Sequence, residues 1–114
     1  NESTNTVVVA QKEFTSNNPE TAKKVLKAHA QAIDFINENP AEAIQLFLDH
    51  VKGITGKELS KEEVEKAFER LTPTTAVNED VLKEMATISK EAGYITTDNI
   101  DGLVNLTYLE EVLK

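Results

Sequence analysis

The sequence predicts a mainly α-helical chain with one or two short strands. Apolar residues recur at helical period in successive stretches, and polar residues able to start helices stand at Asn18, Asn39, Ser60, Asn78 and Thr107. One β-branched run, "VVVA" at Val7–Ala10, breaks that pattern and suits a short strand buried on both faces.

Taken in order, residues 1–5 are polar and read as extended, Val7–Ala10 as a strand, and Lys12 to Asn17 as a polar connection. Asn18 is placed to accept from the first-turn amides of a long helix. Pro19 takes the position whose N–H is unpaired anyway, and Glu20 meets the positive end of the dipole. Ala22, Val25, Leu26, His29, Ile33 and Ile36 then share one face. A residue before proline is pushed out of the α region, so Asn39 ends this helix near Glu38. Asn39 caps the next helix, with Pro40 at its first position and Glu42 where a capping-box acid sits. Beyond the Asn-Pro pair and an alanine three places after the proline, the two starts share no further pattern.

Ile44, Phe47, Leu48 and Val51 form the next stripe, and Leu46 on the opposite side predicts a helix covered on two faces. "GITG", Gly53–Gly56, ends it. Ser60 and Glu63 make an S-x-x-E box before Val64, Ala67, Phe68 and Leu71. "TPTTAV", Thr72–Val77, is an extended segment and the second candidate strand. Asn78 caps a fourth helix with Val77 and Leu82 as its staple. Val81, Met85, Ile88 and Ala92 are its inward face, and Gly93 is its left-handed stop. "YITTDNIDGLVNL" reads as an irregular arm, after which Thr107 and Glu110 open a short terminal helix.

Composition narrows the function. At 114 residues the chain is one domain or part of one. Twelve Lys+Arg against twenty Asp+Glu give a net charge of −8, which repels nucleic acid and anionic lipid. Cysteine is absent, excluding disulfides and thiolate chemistry. No stretch reaches the roughly 18 apolar residues of a membrane span. No basic segment followed by an apolar one marks a secretion signal. The opening "NESTNT" lacks an initiator methionine and reads as that of a processed or excised piece.

Candidate chemistry is sparse. His29 lies within the predicted apolar stripe but has only apolar residues at i±3 and i±4, so it is expected to be a packed, hydrogen-bonded histidine and not a ligand. His50 falls off its stripe and is expected in solvent. The acids of "KEEVEKAFER" alternate with Lys61, Lys66 and Arg70 at helical spacings, the pattern of a solvated face. Asp98 and Asp101 in "TTDNIDG" lack the alternating acids and terminal glutamate of a calcium loop. Asn1-Glu2-Ser3 and Asn105-Leu106-Thr107 match the glycosylation triplet, a pattern common by chance. No catalytic residue, metal ligand or cofactor motif emerges, and the chain is not expected to be an enzyme.

The order of parts is more telling. "VVVAQKEF" leads into "NNPETAKKVLKAHAQAIDFINENPAEAIQLF", a capped helix, "EAGYI" and finally "GLVNLTYLEEVL". This sequence resembles the C-terminal segment of periplasmic substrate-binding proteins of ABC importers, in the nitrate/sulfonate/taurine-type group that includes thiamine-precursor binders. The resemblance spans about residues 6–114. It implies a single segment, 1–114, belonging to a partial lobe of a two-lobe α/β periplasmic-binding-protein fold. Residues 1–6 would be a hinge lead-in, with the crossing within Ser3–Val7 at Thr4, Asn5 and Thr6, and residues 7–114 would supply four to five helices of the first lobe. It further implies a small anionic or organic solute captured by cleft closure, with ligand contacts upstream of this segment and none assignable within it. The implied location is extracytoplasmic, in the periplasm or on a membrane-anchored lipoprotein. The implied partners are the upstream lobes of its own chain, ABC permease subunits and the solute, with no nucleic acid and no cofactor. An unpaired edge on the Val7–Ala10 strand is a route to a homodimer. Two alternatives stand beside this: a free-standing helical interaction domain, which requires a closed core with "VVVA" paired internally, and an enzyme accessory or lid domain.

Overall fold

Two asparagines set the course of the first half of the fold. The computed structural model describes residues 3–114, whose helices are α1 (Lys12–Asn17), α2 (Pro19–Glu38), α3 (Pro40–Thr55), α4 (Lys61–Glu69), α5 (Glu79–Glu91) and α6 (Thr107–Leu113). At both Asn-Pro junctions the helix ends on an asparagine with nearly the same backbone: φ −132°, ψ 53° at Asn18 and φ −132°, ψ 59° at Asn39. The Asn18 N–H donates to the Phe14 carbonyl at 2.8 Å, and its Nδ2 donates to the same oxygen at 3.1 Å. Asn39 repeats both bonds to Phe35, at 2.8 and 3.3 Å. Each asparagine carbonyl then accepts the amide four residues on, from Ala22 at 3.0 Å and from Ala43 at 2.9 Å. Both alanines are buried.

This corrects the expectation that Asn18 and Asn39 accept from the helix they precede. Their side chains reach backwards to the phenylalanine carbonyl four residues earlier, adding a second donor to the asparagine's own backbone N–H. It also uncovers a longer repeat, F-x-x-x-N-P-x-x-A, at Phe14–Ala22 and Phe35–Ala43. The proline requires this arrangement: it forces the asparagine out of the helix and supplies no N–H of its own.

Elsewhere the caps follow the sequence. Ser60 Oγ accepts from Glu63 N–H at 3.4 Å and Asn78 Oδ1 from Val81 N–H at 3.2 Å. Gly93, at φ 84°, closes α5: its N–H donates to Lys90 and the Tyr94 N–H to Ser89, the paired bonds of a Schellman motif. Thr107 is a correction, because it is the first residue of α6 and not its cap. Asn105 Oδ1 accepts the Thr107 amide at 3.0 Å instead.

The chain divides into two units. One comprises residues up to Leu26 together with Ala76–Lys114; the other is Lys27–Thr75. In the second unit α3 packs on α4, with Phe47 and Phe68 tilted at 59° and 6.0 Å apart. Ala30, Ile33, Ala43, Ile44 and Val64 are its buried apolar residues, and Asn37 Nδ2 donates to the Pro73 carbonyl at 3.1 Å. In the first unit Ala22 is buried, and Leu26, Val81, Leu82, Ala86, Leu106, Tyr108, Leu109 and Val112 are half-buried.

Three further expectations need correction. Lys12–Asn17 is a helix, not a connection. Neither Val7–Ala10 nor Thr72–Val77 forms a strand, because no other described segment offers a ladder. The buried faces are also turned from those predicted. On α2 the stripe is Ala22, Leu26, Ala30 and Ile33, while Val25 is 54% exposed and His29 lies in solvent. On α5 it is Val81, Leu82, Ala86 and Ser89, leaving Met85 and Ile88 exposed. Leu46 on α3, expected to be covered, is also exposed.

The total surface is larger than a closed fold of this mass exposes. The 12.6 kDa chain exposes 9186 Å². A folded monomer of this mass exposes about 6200 Å², and two separate folded units of half the mass together about 7500 Å². The excess therefore survives any arrangement of the two units.

The junction geometry makes a sharp prediction. Aspartate caps a helix N-terminus as well as asparagine does, but it cannot donate to a carbonyl. Asn39→Asp should therefore lower unfolding free energy by about 1 kcal/mol in urea titration; no loss would mean that the side chain accepts from α3.

Candidate functional site

The residues expected to form a hinge lie in the segment that precedes α1. Residues 3–11 carry no regular secondary structure, with Thr4 half-buried and Asn5 and Thr6 exposed. Ser3 Oγ donates to Asn5 Oδ1 at 3.4 Å, and the Gln11 carbonyl accepts from Thr15 Oγ1 at 3.4 Å. Asn1 and Glu2, which open both the first glycosylation triplet and the hinge lead-in, lie outside the described residues.

Next to this segment the first unit carries a latch that the sequence did not reveal. Lys23 on α2 binds Glu111 of α6 at 2.7 Å and Glu20 at 3.5 Å, and its ammonium lies 5.6 Å from the centre of the Tyr108 ring. The Tyr108 hydroxyl donates to the Thr15 carbonyl of α1 at 3.1 Å. The hydrogen bond to Glu111 raises the Lys23 pKa above the usual lysine value, opposed by partial desolvation. The sequence signal was faint. Lys23 adjoins the buried stripe, and Tyr108 sits inside what reads as simple capping grammar.

A second tether holds the arm after α5. Asp98 accepts from Lys90 Nζ at 2.9 Å and from Thr87 Oγ1 at 3.3 Å. The Lys90 hydrogen bond, helped by a backbone amide, pulls the Asp98 carboxyl below the ordinary aspartate range. Farther along the arm Asn99 Oδ1 accepts the Asp101 amide at 2.9 Å, so the segment once compared with a calcium loop is an internally bonded turn. Among the described residues no group of three or more His, Asp or Glu is placed to hold a metal ion. His29 and His50 are both exposed.

The second unit has a shallow groove of about 230 Å³ lined by Gln45, Leu48, Asp49, Lys52, Glu58 and Leu59. Its polar groups bond one another: Gln45 Nε2 to Asp49 at 2.9 Å and Lys52 Nζ to Glu58 at 2.6 Å. The Lys52 bond depresses the Glu58 pKa and raises that of Lys52. None of these groups is left free for a guest. The acids of α4 pair along the helix, Glu62 with Lys66 at 2.7 Å and Glu65 with Lys61 at 4.0 Å, as a solvated face requires. Among the described residues no helix is long and apolar enough to cross a membrane. The Lys23, Tyr108, Asp98 and Lys52 contacts are braces and tethers.

Against known proteins, residues 2–43 match a family model described as NMT1/THI5 like. The matched stretch contains the lead-in and both Asn-Pro junctions, and it ends on Ala43, the last residue of the second repeat. This similarity supports a kinship with substrate-binding proteins in general. No curated protein and no solved structure gives a significant match to the chain.

The Asp98 tether has a defined pH window. A carboxyl whose pKa falls on folding adds stability above its unfolded value, near 3.9, and loses it as pH drops through the lower folded value. Amide protection in residues 94–106, corrected for the intrinsic exchange rate, should therefore hold at neutral pH and fall only below about pH 4. D98N should show the lower protection at neutral pH and converge with the unaltered chain at pH values where Asp98 is protonated.

Proposed function

We propose that the chain is a C-terminal portion of an extracytoplasmic solute-binding protein serving an ABC importer. The match over residues 2–43 carries this reading. The order of the remaining parts, through "EAGYI" to "GLVNLTYLEEVL", agrees with it. In this proposal the chain is not an enzyme. The solute is a small anion or small organic molecule of the sulfonate, nitrate or taurine kind, bound between two lobes that close around it.

Thr4, Asn5 and Thr6 would then be the last crossing between lobes, and α1, α2 and α6 would brace its exit. The lead-in fits such a crossing: it is free of regular structure and runs straight into α1, which Tyr108 ties to α6. Rotation about a few extended residues needs firm elements on the moving side. The remaining partners are the upstream lobes of the same polypeptide and the permease subunits.

The uncovered apolar surface favours this reading over a free-standing helical interaction domain. That alternative requires a closed core with Val7–Ala10 paired internally. Instead Val7, Val8 and Val9 are 50%, 55% and 79% exposed, and no described side chain is fully buried.

Thermal-shift screening of the longer polypeptide carrying this segment tests the proposal. A saturating solute among alkylsulfonates, taurine, nitrate and thiamine precursors should raise its Tm by about 5 °C or more. The 114-residue chain alone should show no shift with the same compounds. Stoichiometric solute binding by the chain alone would overturn the reading.

A further inference from the structure

Of the five aspartates in the chain, the structure restrains four and leaves one free. Asp34 and Asp49 lie inside α2 and α3, where the amide that follows each belongs to the helical ladder. Asp80 stands in the first turn of α5, and the next amide, that of Val81, donates to Asn78 Oδ1 at 3.2 Å. Asp98 has its carboxylate on Lys90 and Thr87, and the following amide of Asn99 donates to Thr97 Oγ1 at 3.2 Å. Asp101 has neither restraint. Among the described bonds its carboxylate has no partner, and the Gly102 N–H donates to nothing.

A turn produces that freedom. The Leu103 N–H donates to the Ile100 carbonyl at 2.9 Å and closes a β-turn with Asp101 and Gly102 at its centre. Gly102 has φ 78°, the left-handed value that the third residue of a type II turn requires. The amide joining the two central residues of such a turn takes no part in its closing bond. Both residues are exposed. Asp101 is also the one aspartate or asparagine in the chain that glycine follows. With no side chain on the next residue, nothing crowds the approach of its amide to the aspartyl carboxyl.

We propose that Asp101-Gly102 is a site of spontaneous isomerisation to isoaspartate. The Gly102 amide nitrogen attacks Cγ of the protonated Asp101 carboxyl. The N–Cγ bond forms, a Cγ–O bond breaks, and the hydroxyl leaves with the amide proton as water. Water then reopens the succinimide ring at one of its two carbonyls. Cleavage at Cγ restores aspartate, whereas cleavage at the Asp101 main-chain carbonyl leaves the chain running through Cγ with a free α-carboxylate. No oxidant is consumed, and water is the sole other reactant. The product adds a main-chain methylene to the arm between the Asp98 tether and α6, at unchanged mass and formal charge. The inference rests on the turn and is independent of the solute-binding reading.

Prolonged incubation of the full 114-residue chain at physiological temperature in mildly acidic buffer tests it. Peptide mapping with electron-transfer fragmentation separates isoaspartate from aspartate at each position. Isoaspartate is expected at residue 101 and not at Asp34, Asp49, Asp80 or Asp98, at a rate close to that of the same chain unfolded in urea. D101E should lose the product, since its longer side chain would close a larger and less favourable ring. D101N should form it faster, because ammonia leaves from a neutral amide with no prior protonation of a carboxylate. Circular dichroism of both variants should match that of the unaltered chain, as the turn lies outside the helices. No isoaspartate at 101 in the folded chain, equal accumulation at another aspartate, or no gain in D101N would each overturn the proposal.

Discussion

The carbonyl of a phenylalanine, shared between the backbone and side-chain amides of the asparagine four residues later, is the contact on which the first half of this structure turns. A proline must follow a residue outside the α region, and each such break strands carbonyls at the helix end. Asn18 and Asn39 resolve that break locally, each spending its own carboxamide on the preceding helix and its own carbonyl on the next. At each corner the local course of the chain is therefore set by near-neighbour bonds and needs little help from a core. That independence suits a chain with so little core. Two similar corners also place the buried Ala22 and Ala43 at the same station of successive helices.

Lack of core is the second governing fact. Among the described residues burial is confined to alanines, two isoleucines and a valine, while valines, leucines, isoleucines and two phenylalanines are exposed across the two units. At about 25 cal/mol per Å² of apolar surface, even a few hundred Å² left open forgoes several kcal/mol. That is a large part of the stability of an ordinary domain. Such a surface makes sense if another polypeptide surface covers it, as the proposed membership of a larger lobe implies. The polar contacts complement this economy. Lys23, Tyr108, Asp98 and Lys90 hold peripheral pieces by specific bonds where apolar packing is thin.

Much of the helical plan was legible in the sequence, because capping and stop signals are local. Ser60, Asn78 and Gly93 act as their types and positions suggest, since each bond they make lies within one turn. The faces of α2 and α5 were misread for a physical reason. Periodicity identifies the stripe that would be buried if every apolar residue found a partner, and Val25, Met85 and Ile88 find none here. The strand at Val7–Ala10 was misplaced for the same reason, as a ladder is a property of two segments. The Asn-Pro repeat was legible only as far as the proline and the alanine; Phe14 and Phe35 belong to it through their backbone carbonyls, which a side-chain pattern does not announce. The latch at Lys23 and the tether at Asp98 join residues far apart in sequence, which no local pattern encodes.

The Tyr108–Thr15 bond spans 93 residues. Closing a loop of that size costs on the order of 4 kcal/mol in chain entropy, far more than one hydrogen bond returns. The bond therefore cannot nucleate the first unit; it must arrive with α6 already positioned by Lys23 and its apolar neighbours. During synthesis α1 emerges first and waits for almost the entire chain before its partner exists. Until α6 emerges, α1 has only near-neighbour bonds to hold it, so the first unit is completed late.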